Sequence, residues 1–494
     1  MRRRVGSVAA YAFSGIAILA TTVGVGSCVT VGEPISGAQT FQITISLVDN
    51  QPPPAADNPL PANIGDKEET WKISVQALDS NAQPDPTFNG VVRLSVIPGA
   101  IVEVVDQASG QSNGRNLLMQ GGVAEAQVTV TAVYGEARLW VEDLGYVPAP
   151  PDRPSACANG VNDDDDEDHL VDYPTDPGCE FANDDTETGG TFNAGVSPAV
   201  HYALPTIRQI QGEGATTPFP YEAVQANTAD PHFLVVTRVA RDGFYVTDLN
   251  EQGKGFNHLF AFNFSTPPGM QVCDRVTFLA GTLSEFFGFT ELNFPSYRLD
   301  PLFVGQEDLC QVPEPTVLTP EIIASDSEME KLESSLVRIE GFQVPKHFGP
   351  GLIVNNVPAE GASSCDLNGD GKVDFESDAE GSCSNACDDD PDCSEWTSFI
   401  ARGNYKVHKD SSVIQIQTDG AQLFNPVTSP GATLTAVTGT MRNFSGGNLN
   451  WTIEARCTDD VVCTTEGCAE AVKDSKHACV NLTRTVGDND EGTN

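Results

Sequence analysis

The densest chemistry in this 494-residue chain is a run of hard oxygen ligands, Asp366-Leu367-Asn368-Gly369-Asp370-Gly371-Lys372-Val373-Asp374. With Asp366 as position 1, side-chain oxygens fall at 1, 3, 5 and 9, a glycine at 6 and an apolar residue at 8. Calcium needs six to eight oxygens around one point, and a tight loop of alternating Asp and Asn supplies them. The expected ligands are Asp366, Asn368, Asp370, Asp374 and the backbone carbonyl of Lys372. Position 12 is Ser377, so the bidentate glutamate is missing unless Glu376 or Asp378 moves in. The spacing recurs at Asp164, Asp166, Asp168 and Asp172, with Val171 at 8 and His169 where a positive φ is needed. The register within Asp163 to Asp168 is ambiguous. For both runs the competing reading is a solvated acidic loop closed by disulfides.

The first run resembles an EF-hand or dockerin-type calcium loop, which implies calcium as the bound ion. Charge supports a cation: Asn162 to Glu187 hold twelve acids and no Lys or Arg, and residues 366–395 hold eleven acids and one Lys. Neither piece can bury much core, so disulfide and metal together are the expected way to order it.

Thirteen cysteines are present. Twelve lie at or beyond position 157, an even number that reads as up to six disulfides in an exported chain. Zinc is the weaker alternative, because no C-x-x-C repeats and the seven His are scattered. The expected pairs are Cys157–Cys179, Cys273–Cys310, Cys468–Cys479 and Cys457–Cys463. Cys365, Cys383, Cys387 and Cys393 allow three connectivities, with Cys365–Cys383 and Cys387–Cys393 preferred.

The thirteenth, Cys28, belongs to the N-terminus. Three arginines precede an uncharged apolar stretch from Val5 to Val25, the n- and h-regions of a signal peptide. A transmembrane anchor is the alternative, since the run is near spanning length. Val25-Gly26-Ser27-Cys28 resembles the lipobox of bacterial lipoproteins, which implies cleavage, lipidation of Cys28 and a membrane-anchored chain in the bacterial envelope, on the periplasmic or cell-surface face of the outer membrane.

The elements that position these loops read as all-β: a β-sandwich followed by two β-barrels, with disulfide-closed acidic loops. From Phe41 to Pro148 apolar residues alternate with polar ones, and turn clusters separate the runs; the pattern resembles immunoglobulin-like modules of bacterial surface proteins. Downstream, Gly281-Thr282-Leu283-Ser284-Glu285-Phe286-Phe287-Gly288 recurs as Gly439-Thr440-Met441-Arg442-Asn443-Phe444-Ser445-Gly446. His232 to Ala240 and Gly243 to Leu249 match Ser335 to Val344 and Gly351 to Asn355 in character. Two copies of one small barrel follow. The expected order is a signal peptide (1–27), a tether (28–40), the sandwich (41–150), an acidic linker (151–190), barrel one (191–312), barrel two (313–463, insertion 358–396) and a tail (464–494).

Thr206 to Gly214, Gly243 to Asp248, Cys273 to Val276 and the Gly281 motif resemble OB-fold domains found beside extracellular bacterial nucleases. The whole layout resembles uncharacterised envelope lipoproteins of myxobacteria-like organisms. An OB-fold implies single-strand binding through a basic groove and stacking aromatics. Charge opposes it: the chain carries −42, and the barrels hold six and nine Lys or Arg against twelve and 24 acids. The best cationic cluster, Arg402, Lys406 and Lys409 with Tyr405 and His408, reads as a weak anion site or a solvated hairpin. Phe286, Phe287, Phe289, Phe294 and Tyr297 read as core. No catalytic motif is present. The expectation is a non-catalytic structural, adhesive or binding protein with an unknown protein or polysaccharide partner. A nucleic-acid or nuclease-associated module is the rival, and an unrecognised hydrolase comes third.

Overall fold

The computed structural model describes residues 39–485 other than 66, 164–168, 191, 252, 254, 346–352, 355–356, 359–398, 400–401 and 445–449; at 353–354 and 357–358 it describes the backbone. Cys28, Asp366, Asn368, Asp370, Lys372, Asp374, the four insertion cysteines, and Asp164, Asp166 and Asp168 lie outside the described residues. The chain is all-β, a sandwich followed by two OB-like barrels.

The sandwich comprises β1 (Thr40–Val48), β2 (Glu69–Leu78), β3 (Gly90–Ile97), β4 (Ala100–Asp106), β5 (Asn116–Met119), β6 (Val123–Thr131) and β7 (Glu136–Tyr146). Period-two alternation sends Trp71, Ile73, Val75 and Ala77 inward from β2. One sheet runs β1-β2-β6-β4, the other β5-β3-β7. Two short strands assigned from sequence to the first barrel, β8 (Gly195–Val196) and β9 (Val200–His201), instead pair with β7. Tyr202 follows them into the sandwich core, where its hydroxyl accepts from the Trp71 indole at 3.2 Å and donates to Glu69 at 2.7 Å. A buried phenol and indole need such partners, so these residues complete the sandwich.

The first barrel contains α1 (Ile207–Gln211), β10 (Ala223–Gln225), β11 (Leu234–Val239), β12 (Gly243–Asp248), β13 (His258–Phe262), β14 (Arg275–Glu285) and β15 (Thr290–Asp300). It closes as β11-β12-β13-β15-β14-β11, with β13 and β15 parallel. Between the barrels lie β16 (Thr316–Val317), α2 (Pro320–Ile323) and α3 (Asp326–Glu330).

The second barrel uses β17 (Leu336–Gln343), a small hairpin of β18 (Ile353–Val354) and β19 (Val357–Pro358), then β20 (Asn404–Lys409), β21 (Ser412–Gln417), β22 (Thr433–Phe444), β23 (Asn450–Glu454) and β24 (Val461–Cys463). It closes identically, β17-β20-β21-β23-β22-β17, with β21 and β23 parallel. The match of Gly243–Leu249 to Gly351–Asn355 is therefore corrected. The counterpart of β12 is β20, and residues 344–403 stand in the sequence between the first two barrel strands.

The repeated glycine has a packing reason in both copies. A Cβ on Gly281 would lie 2.7 Å from the Asn293 carbonyl oxygen, and one on Gly439 would lie 2.3 Å from that of Glu454. Only glycine lets the long fourth strand meet the fifth this closely.

Cys157–Cys179 and Cys273–Cys310 are bonded as expected. The last two pairs are corrected to Cys457–Cys479 and Cys463–Cys468. Past β24 the chain turns straight back: the Ala469 amide donates to the Val461 carbonyl at 2.9 Å, which sets Cys468 against Cys463. The later residues return past Asp459, whose carboxylate accepts from the Cys479 amide at 3.3 Å, and Cys479 meets Cys457. Nor is this segment a free tail. Ser475 donates to the Val312 carbonyl, Val304 donates to the Arg484 carbonyl, and Arg484 pairs with buried Asp274, which straps barrel one.

Candidate functional site

In an OB-fold, the face of the second and third strands is where ligands dock. In barrel one that face carries Arg238 on β11, Tyr245 on β12, Phe260 on β13 and Glu291 on β15. It is covered by β22 and β23 of barrel two. Arg238 pairs with Glu454 and donates to the Thr440 hydroxyl at 2.8 Å. The Tyr245 hydroxyl donates to the same Glu454 oxygen at 3.3 Å. Arg442 reaches across to Asp242 at 3.4 Å and Glu291 at 3.5 Å, lies 3.7 Å from Glu454 of its own barrel, and holds its guanidinium 5.2 and 5.3 Å from the Phe260 and Phe289 ring centroids. At the edges, Asn443 donates to the Gly288 carbonyl and Arg456 to that of Thr237.

Burial opposes the Glu454 charge, but Arg238 and Arg442 outweigh it and hold this carboxyl below its ordinary range. Burial raises Glu291 to about 7 despite Arg442. Planar guanidinium groups suit such a seam, because they accept carboxylates and aromatic faces together.

Sequence reasoning missed the seam, although a signal existed. All six residues of β12 are buried, and Leu259-Phe260-Ala261 is continuously apolar. Unbroken apolar strands mark a sheet covered on both faces.

The core assignment of the phenylalanines is corrected in part. Phe289 is buried, but Phe286, Phe287 and Phe294 are exposed, as is Phe264. Phe264, Phe287 and Phe294 have left-handed backbone, with φ of 54°, 55° and 51°. Phe264 meets Phe262 edge-on and Phe294 at a tilt, with centroids 4.3 and 5.6 Å apart.

The cationic cluster does not converge. Arg402 precedes β20 and Lys409 ends it, roughly 20 Å apart at strand rise. Lys409 donates to the Glu340 carbonyl at 2.8 Å, Tyr405 is core, and Lys406 lies midway on the β20–β21 hairpin.

The acidic loop after the sandwich is organised by backbone amides. Asp184 is fully buried and accepts from Val147, Glu180 and Thr186. Asp172 accepts from Asn159 at 3.0 Å and from Gly160 at 2.8 Å. Glu187 accepts from Asp163 and Asp172. His169 does adopt the left-handed φ of 62° that its loop position requires. Asp176 is 2% exposed; one carboxylate oxygen accepts from Gly178, and the other is buried with no hydrogen-bond partner. The donor set fits a hard cation, with orphaned carboxylate oxygen and no Lys or Arg between Asn162 and Glu187. Cys157, Cys179 and Glu187 also cluster at metal-binding distance, but both sulfurs are used in the disulfide.

No protein-family model matches the chain, and no curated protein matches it. Two solved structures resemble parts of it. One is the major pilin subunit of Bacillus cereus, at 9% identity and TM-score 0.17, covering 53% of this chain and 66% of the pilin. The other is dimeric latent PorU from Porphyromonas gingivalis, at 11% identity and TM-score 0.16, covering 49% of this chain and 26% of PorU. The chain thus spans less than two thirds of either, and likenesses this remote carry no argument. No helix among the described residues is long and apolar enough to cross a membrane.

Proposed function

We propose that this is a non-catalytic envelope lipoprotein with a structural or adhesive role, anchored through Cys28 and braced by disulfides and calcium. The observation that carries the reading is the seam. The face with which the first barrel would grip a single strand is spent on holding the second barrel, so the tandem serves as a rigid mount that presents its outer surfaces to a protein or polysaccharide. Calcium would be held by Asp164, Asp166, Asp168 and neighbouring acids in the first loop, and by Asp366, Asn368, Asp370, Asp374 and the Lys372 carbonyl in the insertion. There it supplies positive charge to loops whose own residues supply almost none.

The test is a pull-down of residues 28–494 against isolated cell-surface polymers and proteins, with calcium and with chelator, beside an anisotropy titration with single-stranded DNA and RNA at physiological salt. Calcium-dependent retention by an envelope component supports the reading. Sub-micromolar nucleic-acid binding overturns it in favour of a nuclease-associated module. Separately, Cys28→Ala is expected to leave the membrane fraction or to accumulate as precursor; normal processing with membrane retention removes the anchor.

A further inference from the structure

Between barrel one and the segment leading into barrel two lies a cleft of about 910 Å3, within the size range of small-molecule sites. Phe256, Ile322, Leu332 and Leu336 give it an apolar lining. Its cations are already matched: Arg208 pairs with Glu213 at 2.7 Å, and Lys331 with Glu328 at 2.6 Å. Glu314 accepts from Ser475 at 2.9 Å. Two further carboxylates line the cleft, Asp326 at the rim and Glu330 within. Glu330 is 8% exposed, and its carboxylate makes no hydrogen bond or ion pair. A carboxylate this buried and unpartnered is costly to keep, and the cost falls if a counter-charge enters from the cleft.

We propose that this cleft binds an organic cation, a primary ammonium or guanidinium group on an apolar body, with Glu330 as the counter-charge and Phe256, Ile322 and Leu332 against the body. A metal ion fits less well. Among the described residues, the acidic and His side chains of the cleft form no group of three with ligand atoms close enough to wrap an ion. An anion would meet Glu330 and Asp326 with no spare cation to hold it. The geometry favours a single charged head entering between β13 and α3 with its apolar part left on the lining.

The charge on Glu330 sets a second signature. Burial, reinforced by Glu285 and Asp326, raises its carboxyl to about 7. Also facing it are Glu328, Lys331 and Glu333 of its own segment, Arg208 and Glu213 at the end of α1, and His258, which burial keeps neutral. A cation is held best by the ionised form, so affinity rises between pH 6 and pH 8.

The experiment is calorimetric titration of the calcium-loaded residues 28–494 with 2-phenylethylammonium, with its neutral isostere 2-phenylethanol, and with the blocked dipeptide acetyl-Phe-Lys-amide. The ammonium probe is expected to bind at least tenfold more tightly than the alcohol at pH 8. Glu330→Gln should lose at least tenfold of that affinity and Asp326→Asn a few-fold, both with native melting curves. A dipeptide tighter than the amine identifies a basic side chain of a polypeptide as the source; a weaker one identifies a free amine. Equal binding of amine and alcohol, or undiminished amine binding by a folded Glu330→Gln or Asp326→Asn pair, overturns the proposal, as does an affinity flat from pH 6 to pH 8.

Discussion

The seam between the barrels and the acidic loop after the sandwich are both crowded with carboxylates, and they are neutralised in opposite ways. At the seam Glu454, Glu291 and Asp242 meet two arginines contributed by different barrels. Charge there is an adhesive, and the pairing requires both barrels at once. In the loop twelve acids have no Lys or Arg among them, and the one ion pair they make among the described residues is that of Asp185 with Arg153, just upstream. Backbone amides, one disulfide and Arg153 organise them, and the proposed calcium would neutralise part of the remaining charge. The first region carries its neutralising charge within the chain; under the proposed reading, the second draws part of it from the surroundings.

Removing one partner of the buried seam should have the largest effect. Glu454→Ala leaves Arg238 and Arg442 facing each other in a buried site, and loss of one member of a buried pair costs about 3–5 kcal/mol. Guanidinium denaturation checks it. A change below about 1 kcal/mol would show that the seam does not couple the barrels.

The loop's covalent restraint ranks next. Cys157→Ser with Cys179→Ser opens a loop with a sequence separation of 22 and should cost roughly 3 kcal/mol by the loop-entropy estimate. The loss should fall on the loop first, seen as proteolysis between residues 158 and 178 while the barrels stay intact. Cleavage spread evenly over the chain would erase the distinction between the two regions.

Calcium sharpens the contrast further. Extracellular calcium modules have dissociation constants of about 10⁻⁴ to 10⁻³ M, so a few millimolar calcium should add about 1–2 kcal/mol by mass action. Melting curves in chelator and in 5 mM calcium test this, and the Glu454→Ala variant should respond as fully as the parent. Coincident curves would leave the acidic runs as solvated loops.

The smallest effect is in pH, measured in chelator. Glu291, at about 7, sits above its unfolded value, so its favourable contribution is present below about 4.5 and is lost as pH rises through 7. Glu454 is depressed, so its contribution is present above the unfolded value and is lost as pH falls through its folded value. The melting temperature should therefore peak near pH 5 to 6 and fall by a few degrees at pH 8. Glu291→Gln should flatten that fall, and an unchanged slope would remove Glu291 from the account.

How much of this the sequence revealed follows from where the information resides. The strands of the sandwich are half-buried, so their alternation is written in residues such as Trp71, Ile73 and Val75. The barrel repeat was legible because Gly281 and Gly439 meet the same close approach. The seam was not, because Arg238, Arg442 and Glu454 occupy outward positions of their strands, where a charged residue ordinarily signifies solvent; only the neighbouring barrel buries them. The cysteine pairs near the end were misjudged because proximity along the chain stood in for proximity in space. The turn after β24 joins Cys463 to Cys468 and leaves Cys457 for a residue 22 positions on. The cleft at Glu330 was invisible for the same reason as the seam, since α1, β13 and α3 converge only after folding.

The strap over barrel one bears on the order in which the molecule is made. Asp274 is fully buried, and its guanidinium partner on Arg484 lies 210 residues further along. Ribosomal synthesis delivers the N-terminal side first. Barrel one can close its strands while the second barrel is still being extended, yet Asp274 waits for its partner until residue 484 has been made. The strap is then a long-range latch on a barrel whose strands are closer in sequence, and contacts this distant are the slow ones to form.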